Sequence, residues 1–171
     1  LAQELARQGA SVAIADIILE NARKVADSIN ASGGKAVAIQ CDVTDRDSIK
    51  AMKQAATAAL GPIQLVFANA GATSFDPLME MSDDDVDWIL TVNLMGVMYT
   101  AGAFLPDMIA AGGGHICATA SMAGLLPGWI PVHTPYSAAK AGIIGLMMNL
   151  QLEMREHGIF TTSYCPGGVA T

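Results

Sequence analysis

The sequence predicts a doubly wound α/β sheet, and three observations carry that reading. Short apolar runs without alternation recur along the chain, as at Ser11–Ala15 and Ile63–Ala68. Runs of that kind are strands buried on both faces, as in parallel sheets. Between them lie amphipathic segments with apolar residues at helical spacing, such as Ala22, Val25, Ala26 and Ile29. Glycines stand just past the ends of those segments, at Gly9, Gly33 and Gly61. Helices alternating with parallel strands cover both faces of a sheet, and a chain of 171 residues suits one domain over its whole length.

The chain opens inside a helix, with Leu1 and Leu5 on one face and Gly9 as its stop. No N-cap precedes Leu1, so the expectation is a helix that starts earlier in a longer parent. Ser11–Ala15 is a strand, Asn21–Ser32 a helix and Lys35–Cys41 a strand. Thr44 is expected to begin the next helix, with Asp45 and Asp47 in a first turn that favours negative charge. Ile49, Met52, Ala56 and Leu60 form its inner face. The strand Ile63–Ala68 then runs into Asn69-Ala70-Gly71. Ser82 caps a long helix to about Ala110, with an expected bend near Pro106. The strand His115–Ala120 ends at Ser121, a loop holds Pro127, Pro131 and Pro135, and a helix spans Tyr136–His157. Ile159–Cys165 is the last strand, and no internal repeat or linker interrupts the series.

Composition excludes several classes. The net charge is −7 and no basic run occurs, which argues against a nucleic-acid partner, since phosphate binding needs clustered Lys and Arg. An acidic chain can still hold a dinucleotide, because backbone N–H groups and a helix N-terminus bind pyrophosphate without a basic surface. With 52% apolar and 15% charged residues the chain is no disordered segment. Cys41, Cys117 and Cys165 are an odd, widely spaced set in apolar runs. They read as reduced thiols of a cytoplasmic protein and not as a zinc site. No uninterrupted apolar run reaches a membrane span and no signal peptide opens the chain, so no membrane partner is expected.

The strongest chemical signal is Tyr136-Ser-Ala-Ala-Lys140. Residues four apart on a helix share a face. A tyrosine with a reference pKa near 10 is a poor base at neutral pH. A positive charge about 4 Å away, at an effective dielectric near 20, favours the phenolate by about 4 kcal/mol. That is enough for such a side chain to give and take a proton near neutrality. Ser121 follows a strand directly and precedes the Tyr136 helix by one loop. In doubly wound sheets ligands sit at the carboxyl ends of the strands, where both would fall. A serine there serves equally as a helix cap. Asn69-Ala70-Gly71 follows another strand at the same edge and reads equally as a turn. Asn93, a short amide at mid-helix among Leu90, Val92, Leu94 and Met95, must find partners if buried. Asp16 ends a strand, where an acid suits ribose hydroxyls and repels a 2′-phosphate, or simply caps the next helix.

Over its whole length the sequence resembles the short-chain dehydrogenase/reductase family. Asn69-Ala70-Gly71, Asn93, Ser121, Tyr136-x-x-x-Lys140 and Pro166-Gly167-Gly-Val169-Ala-Thr171 carry the resemblance, in the family's order and near its spacing. The resemblance implies a Rossmann-like sheet and an NAD(H)-dependent oxidoreductase acting on an alcohol or ketone, with NADP the less expected cofactor. It implies Tyr136 as acid/base, Lys140 on the nicotinamide ribose, Ser121 on the substrate oxygen, and Asn93 holding a water that links Lys140 to solvent. It implies Thr171 at the carboxamide, Pro166, Gly167 and Val169 around the ring, Asp42 and Val43 at the adenine, and Asn69, Ala70 and Gly71 near the adenosine ribose. Two long helices, Ser82–Ala110 and Tyr136–His157, would pair across subunits in a homodimer or homotetramer.

The family's opening strand and its Gly-x-x-x-Gly-x-Gly loop have no counterpart in these residues, nor has the C-terminal lobe that closes over substrate. The expectation is therefore a sheet without its central strand, flanked by Ser11–Ala15 and Ile63–Ala68, and a fragment that alone folds poorly and binds NAD weakly. Fifteen positions separate Ser121 from Tyr136, about two more than is usual in the family. His133, in that loop, is expected at the surface, with pocket lining as the alternative. Two other readings remain: a non-catalytic dinucleotide-binding regulator on the same fold, and the extended epimerase/dehydratase branch. The complete Tyr, Lys and Ser set argues against the first, and Asn-Ala-Gly with Pro-Gly-Gly against the second.

Overall fold

A computed structural model describes residues 1–128 and 131–168. The chain forms two compact units, Leu1–Ile63 and Gln64–Thr171, each with its own parallel sheet. The architecture is Rossmann-like: every described strand pairing is parallel and joined by helical crossovers.

The first unit holds α1 (Ala2–Arg7), β1 (Ser11–Asp16), α2 (Leu19–Ala31), β2 (Lys35–Gln40) and α3 (Arg46–Leu60). β1 and β2 run in register from Ser11 opposite Lys35 to Asp16 opposite Gln40. The apolar stripe of α2 buries Ala22, Ala26 and Ile29, and Ile29 meets Ala36 of β2 in one cluster. Asn30 fastens the same helix to the strand: its amide donates to Ala36 O at 3.0 Å and accepts from Ala36 N at 2.8 Å. α3 starts later than Thr44. The N–H and hydroxyl of Thr44 both donate to Asp42 Oδ1, and Asp45 caps the helix by accepting from Asp47 N.

The second unit holds β3 (Leu65–Ala68), α4 (Asp83–Leu90), α5 (Gly96–Ala110), β4 (Gly114–Thr119), α6 (Met122–Leu125), α7 (Thr134–Met154) and β5 (Ile159–Tyr164). Its sheet order is β3-β4-β5. Ala68 stands opposite Ala118, and Thr119 opposite Tyr164, so the carboxyl ends of all three strands share one edge. Ile116, Ala118, Ile143, Met147 and Ile159 are sealed in its core. Among the described residues β1 pairs only with β2, and β3 only with β4.

The long helix differs from expectation. Its irregularity is a wide π turn, Thr91–Met95, and Pro106 lies inside α5. The cause is local. The Asn93 side chain donates to Ile89 O at 2.8 Å, the carbonyl that the Asn93 backbone N–H takes in a regular α-helix. A side chain inserted into the ladder opens the turn. Within Asp83–Ala110 this helix is long and apolar enough to cross a membrane by length and composition, an 18-residue stretch of it having mean hydropathy 1.5. Its inner side, Ile89, Val97, Ala101, Phe104 and Met108, is instead the buried wall of the second unit, with α5 against β3 and β4.

The four-residue α6 had no signal in the sequence, being too short for periodicity. It rests on α7 at Gly124, where an added Cβ would lie 2.6 Å from Lys140 C and 2.7 Å from both Lys140 O and Ala141 N. Those are backbone atoms in the middle of a packed helix and cannot step aside cheaply. Gly124→Ala is therefore expected to destabilise the protein by about 1–3 kcal/mol, read as a melting temperature lowered by several degrees in a thermal unfolding scan.

Candidate active site

Five segments of the second unit meet at the carboxyl edge of its sheet: the Asn69–Gly71 turn after β3, the π turn, the end of β4, α6, and the first turns of α7. Lys140 is the centre. It is 2% exposed, and its Nζ donates to Thr119 O at 2.6 Å. Burial pushes its pKa down to about 8, because a charged ammonium loses hydration there. Tyr136, half-buried one turn earlier, has its ring centroid 5.4 Å from Lys140 Nζ. The spacing of four thus places the pair on one face, as the sequence indicates.

Thr119 was not singled out in the sequence, yet it bonds in two directions. Its carbonyl holds Lys140, and its hydroxyl donates to Asn69 Oδ1 at 2.9 Å. A backbone acceptor at a strand end has no sequence signature. Asn93 is fully buried, and both its amide N–H bonds are used, on Ala72 O at 2.6 Å and Ile89 O at 2.8 Å. Its Oδ1 accepts from Ala72 N at 3.3 Å. Gly71 lies between these groups. A Cβ there would stand 3.0 Å from Asn93 Oδ1 and 3.7 Å from Lys140 Nζ, so a bare backbone keeps the two polar atoms within reach of one space.

Ser121 caps α6, its Oγ accepting from Ala123 N at 3.1 Å. The cap reading of this serine is met; the cap uses a lone pair and leaves the hydroxyl proton to donate elsewhere. Pro166 O accepts from Met122 N at 2.9 Å, which brings the Pro166-Gly167 segment beside Ser121. Val169 and Thr171 lie outside the described residues.

The remaining candidates belong to the first unit, at the carboxyl ends of β1 and β2. Asp16 Oδ1 accepts from Ile18 N at 2.8 Å in a turn ahead of α2, whose N-cap Ile18 has no side-chain cap bond, so the capping alternative is not met; the other carboxylate oxygen has no hydrogen-bond partner among the described residues. Asp42 Oδ1 holds Thr44, and Val43, next to it, is half-buried.

His133 is a correction. It is 6% exposed, not a surface residue: Nε2 lies 2.8 Å from Thr73 Oγ1 and the ring stacks on Tyr136. Burial lowers its pKa. It also lines a half-open cleft of about 460 Å³ with Pro127, Pro131, Ser137 and Ala141. Ser137 and Ala141 each follow Tyr136 or Lys140 by one position, so the side of α7 that lines this cleft is turned about 100° from the side that carries Tyr136 and Lys140.

Parallel strands with helical crossovers define a Rossmann-like α/β protein, with a half-buried tyrosine and a buried lysine on one face of a helix at the carboxyl edge. The family model for short chain dehydrogenase matches residues 1–171, and the chain belongs to that family. It is 39% identical over 168 residues to cyclohexanol dehydrogenase of Acinetobacter sp. (strain SE19), covering 98% of this chain and 66% of that protein. The chain thus spans just under two thirds of that relative's length. Among solved structures, a short chain dehydrogenase/reductase from Burkholderia phymatum in complex with NAD superposes with TM-score 0.93 at 31% identity, covering 98% of this chain and 60% of that one. A metagenomic short-chain oxidoreductase in complex with NADP gives 0.91 at 35% identity, covering 99% and 76%.

The Lys140 environment has a measurable consequence. With a folded pKa near 8 against a reference value near 10.5, the folded chain binds fewer protons than the unfolded chain between those pH values. Stability from this group therefore rises with pH across that window and is constant below it. The unfolding free energy of the wild type should gain on that of Lys140→Met by about 3 kcal/mol between pH 8 and 10.5, measured by urea denaturation without cofactor.

Proposed function

We propose that this chain carries the reaction centre of an NAD(H)-dependent oxidoreductase that interconverts an alcohol and a ketone, with Tyr136 as proton carrier. The observation that carries the reading is the Tyr136–Lys140 pair, a buried ammonium fixed by Thr119 O and 5.4 Å from the phenol ring centroid.

Each unit by itself holds groups suited to part of a nicotinamide dinucleotide. Lys140 uses one of its three N–H donors on Thr119 among the described residues, which leaves two for ribose hydroxyls. Asp16 retains a carboxylate oxygen for a hydroxyl pair on the adenosine ribose, and its charge disfavours a 2′-phosphate; this is the ground for NAD over NADP. When bound, the cofactor accepts the hydride in oxidation and supplies it in reduction.

The chain's own residues handle the proton. In oxidation the alcohol proton passes to the Tyr136 phenolate oxygen as the C–H bond breaks; in reduction the Tyr136 hydroxyl protonates the nascent alkoxide. Lys140 is protonated below about pH 8 and favours the phenolate electrostatically. Ser121, with its proton free of the α6 cap, donates to the substrate oxygen and polarises the carbonyl. Asn93 Oδ1, across Gly71 from Lys140, offers an acceptor for a water that returns protons to solvent.

Tyr136→Phe keeps the ring and removes the proton carrier. In a spectrophotometric assay of the full-length protein with NAD and secondary alcohols, cyclic ones first, it should lower turnover about 10²–10⁴-fold while NAD affinity changes little. Retention of more than a tenth of wild-type turnover would refute Tyr136 as the acid/base.

Assembly belongs to the same proposal of a cytoplasmic enzyme. α7 presents Ala138, Ala141, Gly145, Met148 and Leu152 along one exposed face, with Met148 67% and Leu152 72% exposed. Small residues there allow close helix approach, and so large an apolar stripe suits a second copy. Light scattering of the full-length protein should give a dimer or tetramer at micromolar concentration, and a stable monomer would overturn this part.

A further inference from the structure

Three aromatic rings adjoin at the entrance to α7. The His133 imidazole centroid lies 4.8 Å from that of Tyr136, with planes 28° apart, and 4.4 Å from that of Phe75, tilted by 48°. The imidazole is anchored. Its Nε2 stands 2.8 Å from Thr73 Oγ1, sixty positions away in the chain. The Thr73 hydroxyl donates to Ser74 O at 3.2 Å, so its oxygen is free to accept, which assigns the ring proton to Nε2. Nδ1 is then a bare lone pair, buried and with no partner among the described residues.

The backbone is committed to the same placement. Val132, just before the histidine, has φ = 54°. A β-branched residue in the left-handed region is strained and persists only where its surroundings over-determine it. A strained backbone, a desolvated ring nitrogen and a hydrogen bond across sixty positions are all costs or constraints. What they jointly produce is one imidazole laid against one phenol. Burial also lowers the imidazole pKa, which favours the neutral ring against Tyr136. Apart from Tyr136 itself, no part of this arrangement belongs to the residues that carry the family resemblance.

We propose that His133 is a positioning residue for Tyr136: held by Thr73, its ring sets the plane of the phenol and keeps the hydroxyl aimed at the substrate oxygen. The proposal rests on the reading of Tyr136 as proton carrier. Tyr136 is the third residue of α7 and only half-buried, so without a neighbour its ring samples several orientations. Proton transfer is sensitive to placement, and a displacement of about 1 Å at a reacting group can cost about 10²-fold.

The test uses the full-length enzyme with His133→Ala, His133→Phe and Thr73→Val. His133→Ala removes ring and anchor, and should lower kcat about tenfold with cofactor affinity and substrate KM little changed. His133→Phe keeps a ring against Tyr136 and should recover to within about threefold of wild type. Thr73→Val leaves both rings but frees the imidazole, and should fall between. A second readout needs no turnover. In fluorotyrosine-labelled protein, with the Tyr136 resonance assigned by its loss in Tyr136→Phe, the wild type and His133→Phe should give one sharp line, and His133→Ala a broadened or split one. An active Tyr136→Phe enzyme would refute the proton-carrier reading, and the fluorine spectrum would still report on ring orientation. Full kcat and a sharp line in His133→Ala would overturn the positioning role, as would His133→Phe as impaired as His133→Ala. If His133→Ala does not fold, the ordering of the other two variants against wild type decides: equal, unimpaired kcat and unchanged lines in both overturn it.

Discussion

The contact on which the rest of the site depends is the 2.6 Å hydrogen bond from Lys140 Nζ to the carbonyl of Thr119. It joins a helix to the end of the central strand of the three-stranded sheet, and it holds a cation where water is largely excluded. An ammonium in such a place costs stability unless it is fixed and partnered. The surroundings show the adjustments that this entails. Gly124 lets α6 lie directly on the α7 backbone at that residue, and Gly71 leaves the space beside Nζ free of a side chain. The Thr119 hydroxyl, turned to Asn69, ties the same strand end to the neighbouring turn.

Asn93 plays the complementary part. Its amide holds the Ala72 backbone at both N–H and C=O, and takes the Ile89 carbonyl from the helix ladder. A helix irregularity is the local result, and a fixed course for the chain just after Gly71 is the distant one. Local order is given up in one element so that a loop carrying no regular structure keeps one conformation. Functional sites are where such conflicts between local preference and global arrangement are expected.

Most elements were legible because burial leaves a period in the sequence. Of the residues their spacing singled out, α2 and α3 bury Ala22, Ala26 and Ile29, and Ile49, Met52 and Ala56, with Val25 and Leu60 half-buried. Ser82 caps α4 as its side chain suggests. The pair Tyr136 and Lys140 was legible because helix geometry converts a spacing of four into adjacency. What escaped shares a different physics. Thr119 contributes through its carbonyl, and main-chain acceptors look alike in any sequence. The π turn arises from one amide competing for one carbonyl, which periodicity cannot register. His133 stands in a loop with Pro127, Pro131 and Pro135 and read as surface, but its burial is decided by Thr73, Phe75 and Tyr136, two of them some sixty positions away. The capping of α3 by Asp45, past Thr44, turned on which of two adjacent polar residues Asp42 engaged.

The wide turn has a consequence for the helix as a screw. Ile89, Asn93, Val97 and Ala101 recur every four residues and are all buried. In a regular α-helix each such step overshoots a full turn by about 40°, so a row of this spacing winds gradually round the cylinder. A turn that takes more residues per revolution retards the winding at the second step and resets the phase. The row therefore stays on one side while the helix changes neighbours, from α7 along α4 to β3 and β4 along α5. One uninterrupted rod can then serve two walls of the same interior, with its phase reset at the residue whose amide also fixes the loop beside the site.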